Sequence, residues 1–257
     1  MPAAREPEEI YRKTRDEGRR RLARPPLELA ATAFVGGFDV ALGVAAYALA
    51  KRSVGGSVGD LVAAIAFGLG FVFIVVGRSE LFTENFLIPV AGLERGRLGS
   101  WLKLGELWAV ALVVNIAGGV VVALILTSQG VLPGGAGRAL QQVAETIAHR
   151  STLASFLSAL IAGALMTVMT WFVEGAADSA GVRIVMAWLT GAVIALGTFN
   201  HAIVSTLELV FGMRYGADVD VSQLLGNLGL SVAGNLAGGL VFVTFVRSVQ
   251  AAEGAGR

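Results

Sequence analysis

The chain has 257 residues, of which 55% are hydrophobic, 15% charged and 34 are Gly, with a mean hydropathy of +0.71 and a formal net charge of +1. A water-soluble domain of this size carries about a quarter charged residues, so the composition excludes that class and points to one membrane domain using nearly the whole chain. The absence of cysteine excludes disulfides and thiolate metal or redox chemistry, and two histidines without H-E-x-x-H or G-x-S-x-G leave little for an intramembrane enzyme.

Residues 1–26 form a charged N-terminal tail in which acids and bases alternate at helical spacing from Arg5 to Arg24. The tail reads as a solvated, orienting juxtamembrane helix in preference to a gating or lipid-sensing element, and without an apolar core it does not read as a cleavable signal peptide. Residues 27–247 then carry six hydrophobic units, from Leu27 to Ala50, Val58 to Val90, Lys103 to Thr127, Thr152 to Val173, Arg183 to Gly212, and Gln223 to Val246. Leu107 to Leu126 is apolar apart from Asn115, long enough to cross a hydrocarbon layer of about 30 Å as a helix. Between the third and fourth units, Gly137 to Arg150 is amphipathic and suits an interfacial position, with His149 an exposed loop residue. A short polar tail, 248–257, closes the chain.

The second and fifth units are too long for a simple crossing and are interrupted, one at Gly77-Arg78-Ser79-Glu80, the other near Gly197-Thr198-Phe199-Asn200-His201. A break within lipid leaves backbone groups that only protein or an aqueous cavity can satisfy. The breaks belong to a wider repeat. Asn115-Ile116-Ala117-Gly118-Gly119 returns 120 residues later as Asn235-Leu236-Ala237-Gly238-Gly239, and the segments around Thr83 and His201 are 118 residues apart. Three units per half make the halves inverted, so the expected fold is all-α, with six transmembrane helices in two inverted three-helix repeats and broken helices 2 and 5. Fourteen of the twenty Lys and Arg fall on the side of the two termini, which predicts that both termini are cytoplasmic in an inner membrane.

The breaks hold the candidate site. A small anion crosses more easily if it meets helix N-termini and hydrogen-bond donors, then passes the middle as its neutral acid. Thr83 and His201 are expected to open two half-helices facing the pore, with His201 as central donor or proton relay and Thr83 its polar partner. Ser79, Thr198 and Asn200 flank the breaks and either line the pore or satisfy freed backbone groups. Asn115 and Asn235 either orient the broken segments or join helices beside their Gly-Gly pairs. Arg78 either pairs with Glu80 or attracts anions. No metal, cofactor or nucleic-acid partner is expected.

Glu80-Leu81-Phe82-Thr83-Glu84-Asn85 resembles the E-L-F-T-x-N signature of the formate/nitrite transporter family, and Asn200-His201-Ala202-Ile203 falls where that family has its central histidine. Asn115 and Asn235 match its third and sixth helices, so the resemblance covers roughly residues 27 to 247. It implies an aquaporin-like protomer, a homopentamer in the bilayer, one pore per protomer, and passage of small monovalent anions or their weak acids. It also implies apolar constrictions near Phe67, Leu81 and Ile194. The chain departs from the family's pattern, which marks a divergent branch: Asn200 stands where many members have an acid, Gly163 and Thr167 replace a more usual Asn and Cys, and only His149-Arg150 lies where a Lys is usual, making Arg150 a second anion-attracting candidate. Two other functions fit the same composition, a neutral small-solute channel of aquaporin type and a membrane scaffold without transport.

Overall fold

The computed structural model describes residues 5–176 and 179–254; the end of the C-terminal tail, with Arg257, lies outside the described residues. Its regular structure is entirely helical among the described residues. In chain order it runs α1 (Pro7–Leu22), α2 (Pro26–Ser53), α3 (Gly56–Gly77), a 3-10 segment Phe82–Phe86, the single turn α4 (Ile88–Ala91), α5 (Leu98–Leu126), α6 (Ala136–Ala148), α7 (Thr152–Gly175), α8 (Ala180–Leu196), α9 (Ala202–Arg214) and α10 (Val221–Ala237). From α10 the chain continues without a break through a π-helical stretch, Gly238–Phe245, into α11 (Val246–Gly254). Among the described residues, five helices are long and apolar enough to cross a membrane: α2, α3, α5, α7 and the continuous Val221–Ala252; Ala180–Leu196 is apolar but shorter.

Close packing of the long helices depends on small residues, because lipid supplies no hydrophobic drive to join apolar helices. At Gly37 of α2, a Cβ would collide with the backbone of Asn115 on α5. At Gly163 of α7, a Cβ would collide with the backbone of Asn235 on α10. A larger side chain such as Asn therefore has no room at position 163 in this packing.

Two expectations are corrected here. The segment after the first break is not a half-helix: Thr83 sits inside five residues of 3-10 helix, and only His201 opens a helix of full length. The N-terminal helix is docked rather than solvated. Gly18 of α1 lies against the backbone of Ile88 and Gly92, Ile10 is 5% exposed and packs with Leu87 and Trp171, and the hydroxyl of Tyr11 meets that of Ser248 at 3.3 Å. The amphipathic segment forms a helix whose Leu140 and Ala144 pack on Gly212 of α9, while His149 is exposed.

Substituting Gly163 by Val is expected to destabilise the protein by about 1–3 kcal/mol, the usual penalty of overpacking. Thermal unfolding in detergent measures this, and an unchanged melting temperature would contradict the α7–α10 contact.

Candidate functional site

Each break is tied down by one asparagine. At the first, α3 ends at Gly77 and Arg78 takes a left-handed conformation with φ 57. The buried Asn115 side chain then spans the break: Oδ1 accepts from Phe82 N at 2.9 Å, while Nδ2 donates to Glu80 O at 2.8 Å and to Ala33 O at 2.6 Å. At the second, α8 ends at Leu196 and Thr198 is left-handed with φ 47. Asn235 repeats the arrangement: Oδ1 accepts from Ala202 N at 2.8 Å, and Nδ2 donates to Asn200 O at 3.0 Å and to Ala159 O at 2.7 Å. A carboxamide offers two N–H donors and an acceptor, so it can meet two carbonyls and an amide at once, where a hydroxyl has a single donor and a carboxylate has none. Of the two roles open to these asparagines, orienting the breaks is the one the bonds describe. The bonds to Ala33 and Ala159 join the neighbouring helices as well.

The two breaks bring Thr83 and His201 together. Thr83 Oγ1 and His201 Nε2 are 2.7 Å apart, and both residues are fully buried. His201 is the N-cap of α9, and its Nδ1 accepts from the backbone N–H groups of Ile203 and Val204, each at 3.2 Å. With Nδ1 occupied as an acceptor, the ring proton of neutral imidazole belongs on Nε2, which donates to the Thr83 hydroxyl. A proton on Nδ1 would take the place of both backbone bonds. Phe71 lies beside the imidazole with ring centres 6.0 Å apart, and its other neighbour is Phe67 at 5.6 Å. Leu81 and Ile194 are buried in the same core cluster.

Charged groups stand on both sides. At the end of the bundle that carries α1, a cavity of about 580 Å³ is lined by Arg78, Ser79, Glu80, Glu84 and Arg183 among others. Glu80, 1% exposed, is held by Arg21 at 2.9 Å and by Arg24, so its partners come from α1 and not from Arg78. Burial works to lower the Arg21 pKa, but Glu80, Glu84 and Glu17 raise it more, and the guanidinium stays charged. Arg78 has no ion pair among the described residues, and it is exposed in the cavity. Ser79 Oγ donates to the buried Asp39 of α2 at 2.7 Å. On the other side, Arg150 donates to Thr198 O at 3.0 and 3.1 Å and to Ser158 Oγ at 3.0 Å; burial lowers its pKa, and Glu208 acts to raise it. Asn200 turns its side chain away from Thr83 and His201. It bonds to Ser155 O at 3.3 Å, Asn227 at 2.9 and 3.1 Å, and Ser231 at 2.8 Å.

The sequence pattern described as "Formate/nitrite transporter" matches residues 8–249. The chain belongs to this family. Its members are transporters and channels rather than enzymes. The chain is 28% identical over 256 residues to "Uncharacterized transporter YrhG" of Bacillus subtilis (strain 168), covering 95% of this chain and 92% of that one. It is 24% identical over 245 residues to "Inner membrane protein YfdC" of Escherichia coli (strain K12), covering 94% and 77%. Among solved structures, the fold is shared with one titled "FNT family ion channel", at TM-score 0.79, 19% identity and coverage of 93% and 98%. It is also shared with one titled "Pentameric formate channel with formate bound", at TM-score 0.73, 22% identity and coverage of 87% and 96%.

Within this formate/nitrite transporter fold, four features went unread in the sequence. Phe71 packs on the histidine one turn after Phe67 and was hidden by an apolar run. Asp39 and Glu208 are single acids inside apolar helices, a signal that does mark functional positions in membranes. The pairing of Glu80 with Arg21 and Arg24 left no mark, since its partners lie 59 and 56 residues away.

Replacing Asn235 by Leu leaves Ala202 N and the carbonyls of Asn200 and Ala159 without their side-chain partner. The expected loss is about 1–3 kcal/mol for each buried group left unmet. Thermal unfolding of the variant measures this, and Asn235→Asp, which keeps only the acceptor, is expected to be destabilised too.

Proposed function

We propose that the chain is a transporter or channel for small monovalent anions or their conjugate weak acids, of the formate or nitrite class, with one pore in each protomer of a homopentamer. The observation that carries this is the buried Thr83–His201 hydrogen bond, made between two breaks that the same asparagine device holds in both halves. The transporter and formate-channel relatives supply the substrate class and the pentamer, and the relative named as an inner membrane protein supplies the location. Counting α8 and α9 together as one broken crossing gives six, arranged as two inverted three-helix halves with aquaporin-like broken helices 2 and 5. The distribution of Lys and Arg supports an orientation with both termini, α1 and the tail 248–257 on the cytoplasmic side of a bacterial inner membrane.

In this reading an anion enters a vestibule where Arg78 or Arg150 supplies positive charge, loses water, and meets the Nε2–H and hydroxyl of the central pair. A bare charge in apolar surroundings costs several kcal/mol or more, so the middle is crossed as the neutral acid. His201 serves as hydrogen-bond donor and the aromatic and aliphatic groups of Phe67, Phe71, Leu81 and Ile194 form the dry walls. Ser79, Thr198 and Asn200 act on the breaks: Ser79 through Asp39, Thr198 through Arg150, Asn200 through Asn227 and Ser231.

The test is uptake of formate, nitrite, acetate and lactate into proteoliposomes, with glycerol and water as controls. Wild-type protein is expected to pass the small acids, faster at lower external pH. His201→Phe is expected to assemble normally and lose about tenfold or more of the flux, the equivalent of one unmet hydrogen bond at the barrier. Full flux through an assembled His201→Phe pentamer, or uptake of glycerol and water alone, would sink this function.

A further inference from the structure

Beyond the central pair stands a buried acid with nothing to hold it. Glu208 lies on α9, seven residues after His201, which is about two turns and about 10 Å along the helix. It is 5% exposed. Its carboxyl makes no hydrogen bond and no ion pair among the described residues. The one fully sealed side-chain nitrogen or oxygen without a partner among the described residues is Arg183 Nε, so the Glu208 oxygens keep some access to open space. Its charged and titratable neighbours are Arg150, from the turn between α6 and α7, and Tyr47 of α2. The other elements packed on α9 meet it through uncharged groups: Gly119 of α5, Leu140 and Ala144 of α6, and Asn235 of α10.

This arrangement divides the work between three residues. Arg150 holds a fixed positive charge beside the second break, where its guanidinium is already aimed by Thr198 and Ser158. His201 cannot take up a proton at Nδ1 without giving up its bonds to Ile203 and Val204. Glu208 has no such commitment, and an unpaired carboxylate at this depth carries a desolvation cost that a bound proton removes.

We infer that Glu208 is the proton donor of the pathway. This rests on the proposed passage of small monovalent acids. A formate-class anion arriving from the outer side is drawn to Arg150, and its carboxylate oxygen takes the proton of the Glu208 carboxyl. The products are the neutral acid, which passes His201 and Thr83, and the Glu208 carboxylate, which recovers a proton from external water. No other bond forms or breaks. Glu208 thus selects for substrates that can be protonated, since an anion that stays charged is repelled by the Glu208 carboxylate.

The test compares full-length wild type with Glu208→Gln in proteoliposomes, reading formate uptake and lumenal acidification at several external pH values. Wild type is expected to take up formate faster as the outside becomes more acid, with acidification of the lumen. Glu208→Gln is expected to keep its assembled size and lose about tenfold or more of the acid-driven component. The same pH slope in Glu208→Gln as in wild type would overturn the inference and leave the proposed function standing. An equal drop at every pH would overturn it too, because it marks a structural role. No formate uptake by wild type would overturn both. If Glu208→Gln does not assemble, Glu208→Asp is read instead: a retained pH slope at lower rate supports the donor, and an assembled Asp variant without the slope contradicts it.

Discussion

The structure depends on two carboxamides that complete two interrupted backbones. A chain that leaves helical geometry inside an apolar bundle strands its N–H and C=O groups, and each stranded group costs about 1–3 kcal/mol. Asn115 and Asn235 remove that cost at the same three kinds of position: an amide after the break, a carbonyl before it, and a carbonyl on the neighbouring helix. Once both are seated, the chain after each break has little freedom. Thr83 and His201 meet because the backbones that carry them are fixed from behind.

The same constraint explains the glycines. An asparagine can reach across a break only if its own helix lies close to the helix before the break. Gly37 and Gly163 allow that approach, since each faces the backbone of the asparagine opposite. The end with the termini is closed differently. Arg21 and Arg24 of α1 neutralise the buried Glu80 and thereby tie the N-terminal helix to the first break, while Arg21 also reaches Asn85 at 3.1 Å. The buried charge of Glu80, at the first break, is thus matched by the docked tail. The docked helix and the break are one electrostatic unit.

Much of this was legible in the sequence. The interruption after Gly77 and the one before His201, the repeat of the asparagines and the pairing of Thr83 with His201 all follow from apolar length and sequence offset. What the sequence left open was the direction of side chains. Asn115 and Asn235 fitted two roles until their bonds were seen. Asn200 stands beside the histidine yet points into α7 and α10, because Asn227 and Ser231 offer partners that adjacency does not reveal. The α1 helix looks solvated by charge pattern, yet its charges find partners and its Gly18 permits contact; both depend on residues far along the chain. The 3-10 form of Phe82–Phe86 is likewise decided by packing, with Thr244 Oγ1 donating to Phe86 O at 2.8 Å and Trp108 Nε1 donating to Asn85 O at 2.9 Å.

The central claim is that the backbone of α9 sets the tautomer of His201 and so points a donor at Thr83. Nitrogen-15 NMR of the labelled imidazole in lipid at neutral pH tests it most directly. The account predicts a bare Nδ1 and a proton on Nε2. A ring protonated at Nδ1 would contradict it, because the amides of Ile203 and Val204 would then have lost their acceptor.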